Sequence, residues 1–102
     1  MTLNPNLYEI NTAVWLYELS RKYGAQMTVG QVPSSEWDML RDSGFHFVWL
    51  MGVWKRCPED REYFLADPGN VSLCDTILPG WTGEDIIGSP YAIEGYIPDP
   101  VI

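Results

Sequence analysis

Between Gly44 and Gly52 runs Phe45-His46-Phe47-Val48-Trp49-Leu50-Met51, in which only His46 is polar. A run this short and this apolar suits a strand buried on both faces, as in a parallel sheet with helices packed on it. Phe, Val and Trp favour strands over helices, and a buried helix needs more length. The flanking glycines mark points where the chain can turn. The sequence therefore predicts a central strand over 45–51, and the rest of the chain must supply its cover.

The segments before it fit that role. Leu7-Tyr8-Glu9-Ile10-Asn11 is a short strand candidate, and Thr12 can cap a following helix through its hydroxyl. From Ala13 to Tyr23, Ala13, Val14, Leu16, Tyr17 and Leu19 make a broad apolar helical face. Arg21 and Lys22 suit the negative end of the helix dipole, and Gly24 is a natural stop. A connector without periodicity covers 25–32. Pro33-Ser34-Ser35-Glu36-Trp37-Asp38 opens a second helix, with either Ser as cap and the acids near the positive end. Trp37, Leu40 and Met39 are assigned to its core side, and Gly44 ends it. Strand, helical crossover and strand make a βαβ unit, a connection that is right-handed almost without exception.

Beyond Trp54 the chain turns polar. Lys55 to Glu62 reads as a solvated charged loop, and Asp67-Pro68-Gly69-Asn70 as a turn. Val71 to Leu78 is a short helix candidate, stopped by Pro79-Gly80. Thr82 can cap a helical turn with Glu84 and Asp85 just inside it. Ala92 to Ile97 is a candidate short third strand, and Pro98 and Pro100 argue against regular structure after it. The fold class expected is α/β: a βαβ core with parallel strands, extra short helices and that short strand, in one domain over 1–102.

At 102 residues the chain can bury one modest core. Its net charge of −8 leaves no basic stripe for nucleic acid and disfavours an anionic membrane surface. Met1 to Asn6 has no charged-then-apolar leader pattern, and no segment is long and apolar enough to span a bilayer. A cytoplasmic protein without membrane or nucleic-acid partners is expected. Cys57 and Cys74 fit neither a zinc pattern nor a redox pair, so free thiols in a reducing compartment are expected, although the spacing alone permits a disulfide.

The chemical inventory is thin. His46 is the only histidine and falls on the predicted buried strand, where a satisfied structural role outweighs that of ligand or base. No glycine-rich phosphate loop and no G-x-S-x-G is present. Fourteen carboxylates exist, but sequence alone pairs none of them as acid and nucleophile. No catalytic residue, metal ligand or cofactor is assigned.

The chain nevertheless resembles a family. Leu7 to Thr12 with Val14-Trp15-Leu16 resembles the first barrel strand and helix of α-amylase-like glycoside hydrolases (family 13). Pro33 to Asp38 resembles the crossover helix, and Val48-Trp49-Leu50-Met51-Gly52-Val53-Trp54 the second strand and the loop leaving it. Trp81-Thr82-x-Glu84-Asp85 and Gly88-Ser89-Pro90-Tyr91-Ala92-Ile93 resemble the family's segment beyond that loop. The resemblance implies a TIM barrel with its active site at the C-terminal strand ends. It also implies that the catalytic carboxylates lie on later strands than those present here. The expectation is thus a quarter-barrel-like fragment, inactive alone; the alternatives are part of a longer α-glucan-acting enzyme or a weak carbohydrate-binding module. By the resemblance, Tyr91 matches the aromatic that stacks on the sugar beside the cleaved bond. Gly95 stands before Tyr96 where the family often has Asp. Trp54 and Trp81 are further candidate sugar contacts. The unshared strand edge and the apolar strand faces imply self-association into a homodimer or higher symmetric oligomer.

Overall fold

A computed structural model describes residues 4–102; Met1 to Leu3, part of the stretch read as lacking a leader, lie outside the described residues. The chain is mixed α/β and divides into two compact units. One comprises Met1–Val53 with Pro100–Ile102, the other Trp54–Asp99.

The first unit is the expected βαβ motif. Strand β1 (Leu7–Asn11) pairs in parallel with β2 (Phe47–Met51), with Leu7 opposite Phe47 and Asn11 opposite Met51. Helix α1 (Thr12–Tyr23) and helix α2 (Ser34–Asp42) lie in the crossover, with a 3-10 turn at Val29–Gln31 between them. Gly24 closes α1 with φ of 69°, a left-handed conformation that a side chain would resist. Leu16, Leu19 and Val32 form the buried centre, with Trp15, Met27, Val29, Trp37 and Ile102 packed around it. The Trp15 and Trp37 rings meet edge-on, centroids 5.1 Å apart at 67°. Ile102 is fixed through its carbonyl, which accepts from the Val29 N–H at 2.6 Å.

Several local expectations need correction. Asn11, not Thr12, holds the cap position of α1 and makes no side-chain cap bond. Thr12 is the first helical residue and is wholly buried. Pro33 holds that position for α2, so neither serine caps it; its rigid backbone supplies the extended entry instead. Val14, Tyr17 and Met39 face outward. Glu36, assigned to the helix dipole, is buried at 4% exposure because Lys22 and Tyr23 give its carboxylate partners.

The largest correction concerns the central strand. Phe47 remains 59% exposed and Trp49 47% exposed, so β2 is not buried on both faces. Side chains alternate along a strand. Ile10 and Leu50, opposite each other, share one face, and Ile10 is buried. Leu7, Glu9, Asn11, Phe47, Trp49 and Met51 share the other face, where Leu7, Phe47 and Trp49 are exposed. Among the described residues only β1 pairs with β2. His46 precedes β2, is exposed, and its Nδ1 lies 3.2 Å from the Asn6 N–H and 2.9 Å from the Asn6 Oδ1.

The second unit holds an antiparallel ribbon of β3 (Trp54–Arg56) and β4 (Ile93–Pro98), with helices α3 (Pro58–Leu65) and α4 (Pro68–Ile77). The expected third strand is present as β4, but it pairs with β3 and stays outside the parallel sheet. The charged stretch is not a loop: it builds β3 and α3. Pro58 opens α3, with Glu59 and Asp60 in the first turn, where a missing N–H costs nothing and acids are favoured. Asp67-Pro68-Gly69-Asn70 is a helix start rather than a free turn, since Asp67 accepts from the Gly69 N–H and caps α4. Thr82 does precede a helical turn, a 3-10 turn at Gly83–Asp85, and Asp85 accepts from its N–H at 2.8 Å. Among the described residues no closed barrel is formed.

Candidate functional site

Of the residues singled out for sugar contact, Trp54 begins β3 and its ring stands perpendicular to that of Tyr96, centroids 5.5 Å apart. Tyr91 lies in the turn before β4 and is 72% exposed. The ladder register separates the two: Trp54 is opposite Pro98, while Tyr91 precedes Ile93, which faces Arg56 at the other end. The Cys57 N–H donates to the Ala92 carbonyl at 2.8 Å and anchors that end. Trp81 donates its indole N–H to Asp75 at 2.8 Å. Trp54 is therefore grouped with Tyr96, and Trp81 with Asp75.

A different place in the second unit is concave. An open cleft of about 520 Å³ lies between α3, α4 and the segment 85–89, lined by Asp60, Tyr63, Phe64, Asn70, Asp85 and Ile86 among others. Helix α3 presents Asp60, Tyr63 and Phe64 at three- and four-residue spacing, which places them along one side of the helix. The opposite wall is tied to the same helix. Arg61 donates through Nε to the Ile86 carbonyl at 2.7 Å and through Nη2 to the Gly83 carbonyl. Asp60 accepts from the Ser89 N–H at 2.8 Å. At Gly88, with φ of 82°, an added Cβ would sit 3.3 Å from that same carboxylate oxygen, so glycine lets the wall approach. Asn70 donates to the Phe64 carbonyl at 3.1 Å and joins the two helices.

The carboxylates of this cleft are already occupied in part by backbone N–H groups: Asp60 by Ser89 and Asp85 by Thr82. Such acids hold a loop in place and remain acceptors. The arrangement can contact a ligand through aromatic and carboxylate groups. The sequence reading missed Asp60, Tyr63 and Phe64 as a group because it took Lys55 to Glu62 for a loop. A Pro followed by two acids was the signal that would have found the helix.

Other ionisable groups in this unit serve structure. Burial pulls the Arg56 guanidinium below its ordinary value, against the nearby Asp99 charge that raises it. Cys57 donates its thiol to Glu59 at 2.9 Å, and that hydrogen bond raises the thiol's pKa and lowers the carboxyl's. Cys57 and Cys74 are free thiols, Cys74 buried. Among the described residues no three metal-binding side chains gather, and no helix is long and apolar enough to cross a membrane. No family model matches the chain, and neither does any curated protein or any solved structure.

Proposed function

We propose that this chain is the first segment of an α-amylase-like barrel, belonging to an α-glucan-acting glycoside hydrolase or transglycosylase, and catalytically silent alone. One observation supports this above the others. The two stretches that resemble the first and second barrel strands pair in parallel and in step, across a helical crossover. Their shared face carries exposed Leu7, Phe47 and Trp49, bulky apolar residues of the type that fills a barrel interior in layers, together with Glu9 and Asn11. Retaining glycoside hydrolysis needs two carboxyl groups about 5 Å apart across the bond. In this reading those groups come from later strands, and Tyr91 and Trp54 contribute at most a weak contact to an α-glucan. The setting is cytoplasmic, which suits two unbridged cysteines.

The test is the encoding DNA beyond the Ile102 codon. Continuation in frame into a third strand ending in Asp…Asn-His, and then three further strand-end carboxylates, is the expected result. An in-frame continuation without them would remove the reading.

A further inference from the structure

Tyr91 sits on a tight turn, Ser89 to Ala92, closed by the Ala92 N–H donating to the Ser89 carbonyl at 3.2 Å. Pro90 takes the second position of that turn, where its fixed φ suits the geometry. The Ser89 hydroxyl oxygen accepts from the Tyr91 N–H at 3.2 Å, a second bond inside the same turn.

Both ends of this turn rest on the start of α3. At one end the Asp60 carboxylate, in the first turn of the helix, accepts from the Ser89 N–H at 2.8 Å. At the other end the Ala92 carbonyl accepts from the N–H of Cys57, the residue before Pro58, at 2.8 Å. Cys57 and Asp60 are joined in turn, since the Asp60 N–H donates to the Cys57 carbonyl at 3.2 Å. An ionised acceptor makes the stronger hydrogen bond, so Asp60 is the firmer of the two anchors. Gly88 lets the segment come this close to it, as a Cβ there would lie 3.3 Å from the Asp60 oxygen. Tyr91 itself is 72% exposed, so the turn fixes the backbone of a residue that stays largely in solvent.

We infer that Asp60 is a positioning residue for Tyr91: through the Ser89 N–H, its carboxylate sets the turn from which Tyr91 meets an α-glucan. This rests on the α-glucan reading above, in which Tyr91 makes a weak sugar contact. A contact residue held in place before the ligand arrives spares the cost of ordering it on binding. Hydrogen bonds behind the contact residue are the usual means. In this role Asp60 acts through Ser89 and touches no sugar.

The experiment uses the full chain and two magnetic-resonance readouts. One is amide hydrogen exchange at Ser89 and Tyr91; the other is the shift of the Tyr91 ring signals on adding maltotriose. In Asp60→Ala, exchange is expected to quicken by about tenfold or more, since a hydrogen bond to a charged group is worth at least that factor. The Tyr91 shift is expected to require severalfold more maltotriose. Asp60→Asn keeps an acceptor oxygen and is expected to restore most of both. Should Asp60→Ala not fold, Asp60→Glu, which carries the acceptor one methylene further out, makes the same comparison with the same expected direction. Unchanged exchange in the altered chain overturns the inference alone. So does a Tyr91 shift that saturates at the native maltotriose concentration, or an Asn variant that behaves like the Ala one. No Tyr91 shift in the native chain overturns the sugar contact and the inference with it, and the DNA sequence still decides the barrel reading separately.

Discussion

Glu36 holds its carboxylate at 2.6 Å from Lys22 Nζ and 2.7 Å from the Tyr23 hydroxyl. The hydrogen bond from Lys22, then that from Tyr23, keeps its pKa below the ordinary value, against the burial that raises it. A carboxyl lowered in the folded state stabilises fully above its unfolded pKa of about 4.3. That share is lost as pH falls through the lowered folded value. The urea midpoint of the native chain is therefore expected to drop more steeply between pH 5 and pH 3 than that of Glu36→Gln; parallel profiles would refute this. Tyr23→Phe removes one hydrogen bond to a charged acceptor and is expected to cost about 1.5 kcal/mol by urea unfolding at pH 7. None of this was legible in the sequence. A first-turn acid has a default partner in the helix dipole, and its true partners lie thirteen and fourteen residues back, on another helix. Gly24 was legible, because its role depends only on its own backbone.

Elements whose signals are local were read well, and those that share a composition with loops were not. Strand β1 has the bounds the sequence suggested, and α1 starts one residue earlier than expected. Helix α3 was hidden by its start, and α4, expected over Val71 to Leu78, begins three residues earlier at Pro68. Cys57-Pro58-Glu59-Asp60 and Asp67-Pro68-Gly69-Asn70 carry the prolines, acids and glycine that also make turns. What separates the two outcomes is the residue after the proline continuing into helix, which tertiary contact decides. The start of α4 is also marked locally, since the Asp67 side chain accepts the Gly69 N–H at 2.8 Å. Asp67→Ala is expected to lower stability by about 1 kcal/mol. Asp67→Ser, which retains a capping oxygen, is expected to recover most of it in the same thermal melts.

For the molecule as a whole, the strand over 45–51 was legible as a strand but its burial was not, because burial belongs to neighbours and the sequence of one strand cannot state how many it has. The candidate cleft was illegible for a related reason: its walls are 22 to 29 residues apart and are joined by Arg61 and Asp60. Purified chain is expected to show no turnover of starch, maltooligosaccharides, sucrose or trehalose; turnover abolished by mutating a carboxylate here would contradict that. The crossed indoles of Trp15 and Trp37 bear on optics. Two identical chromophores at 5.1 Å and 67° exchange excitation energy, and their transitions split into a pair of opposite rotational sign. The far-ultraviolet circular dichroism of the native chain is expected to carry this couplet, and Trp37→Phe to erase it. Since both rings surround Leu16, Leu19 and Val32, the couplet's loss on heating would time the melting of that core separately from the helical signal of the chain.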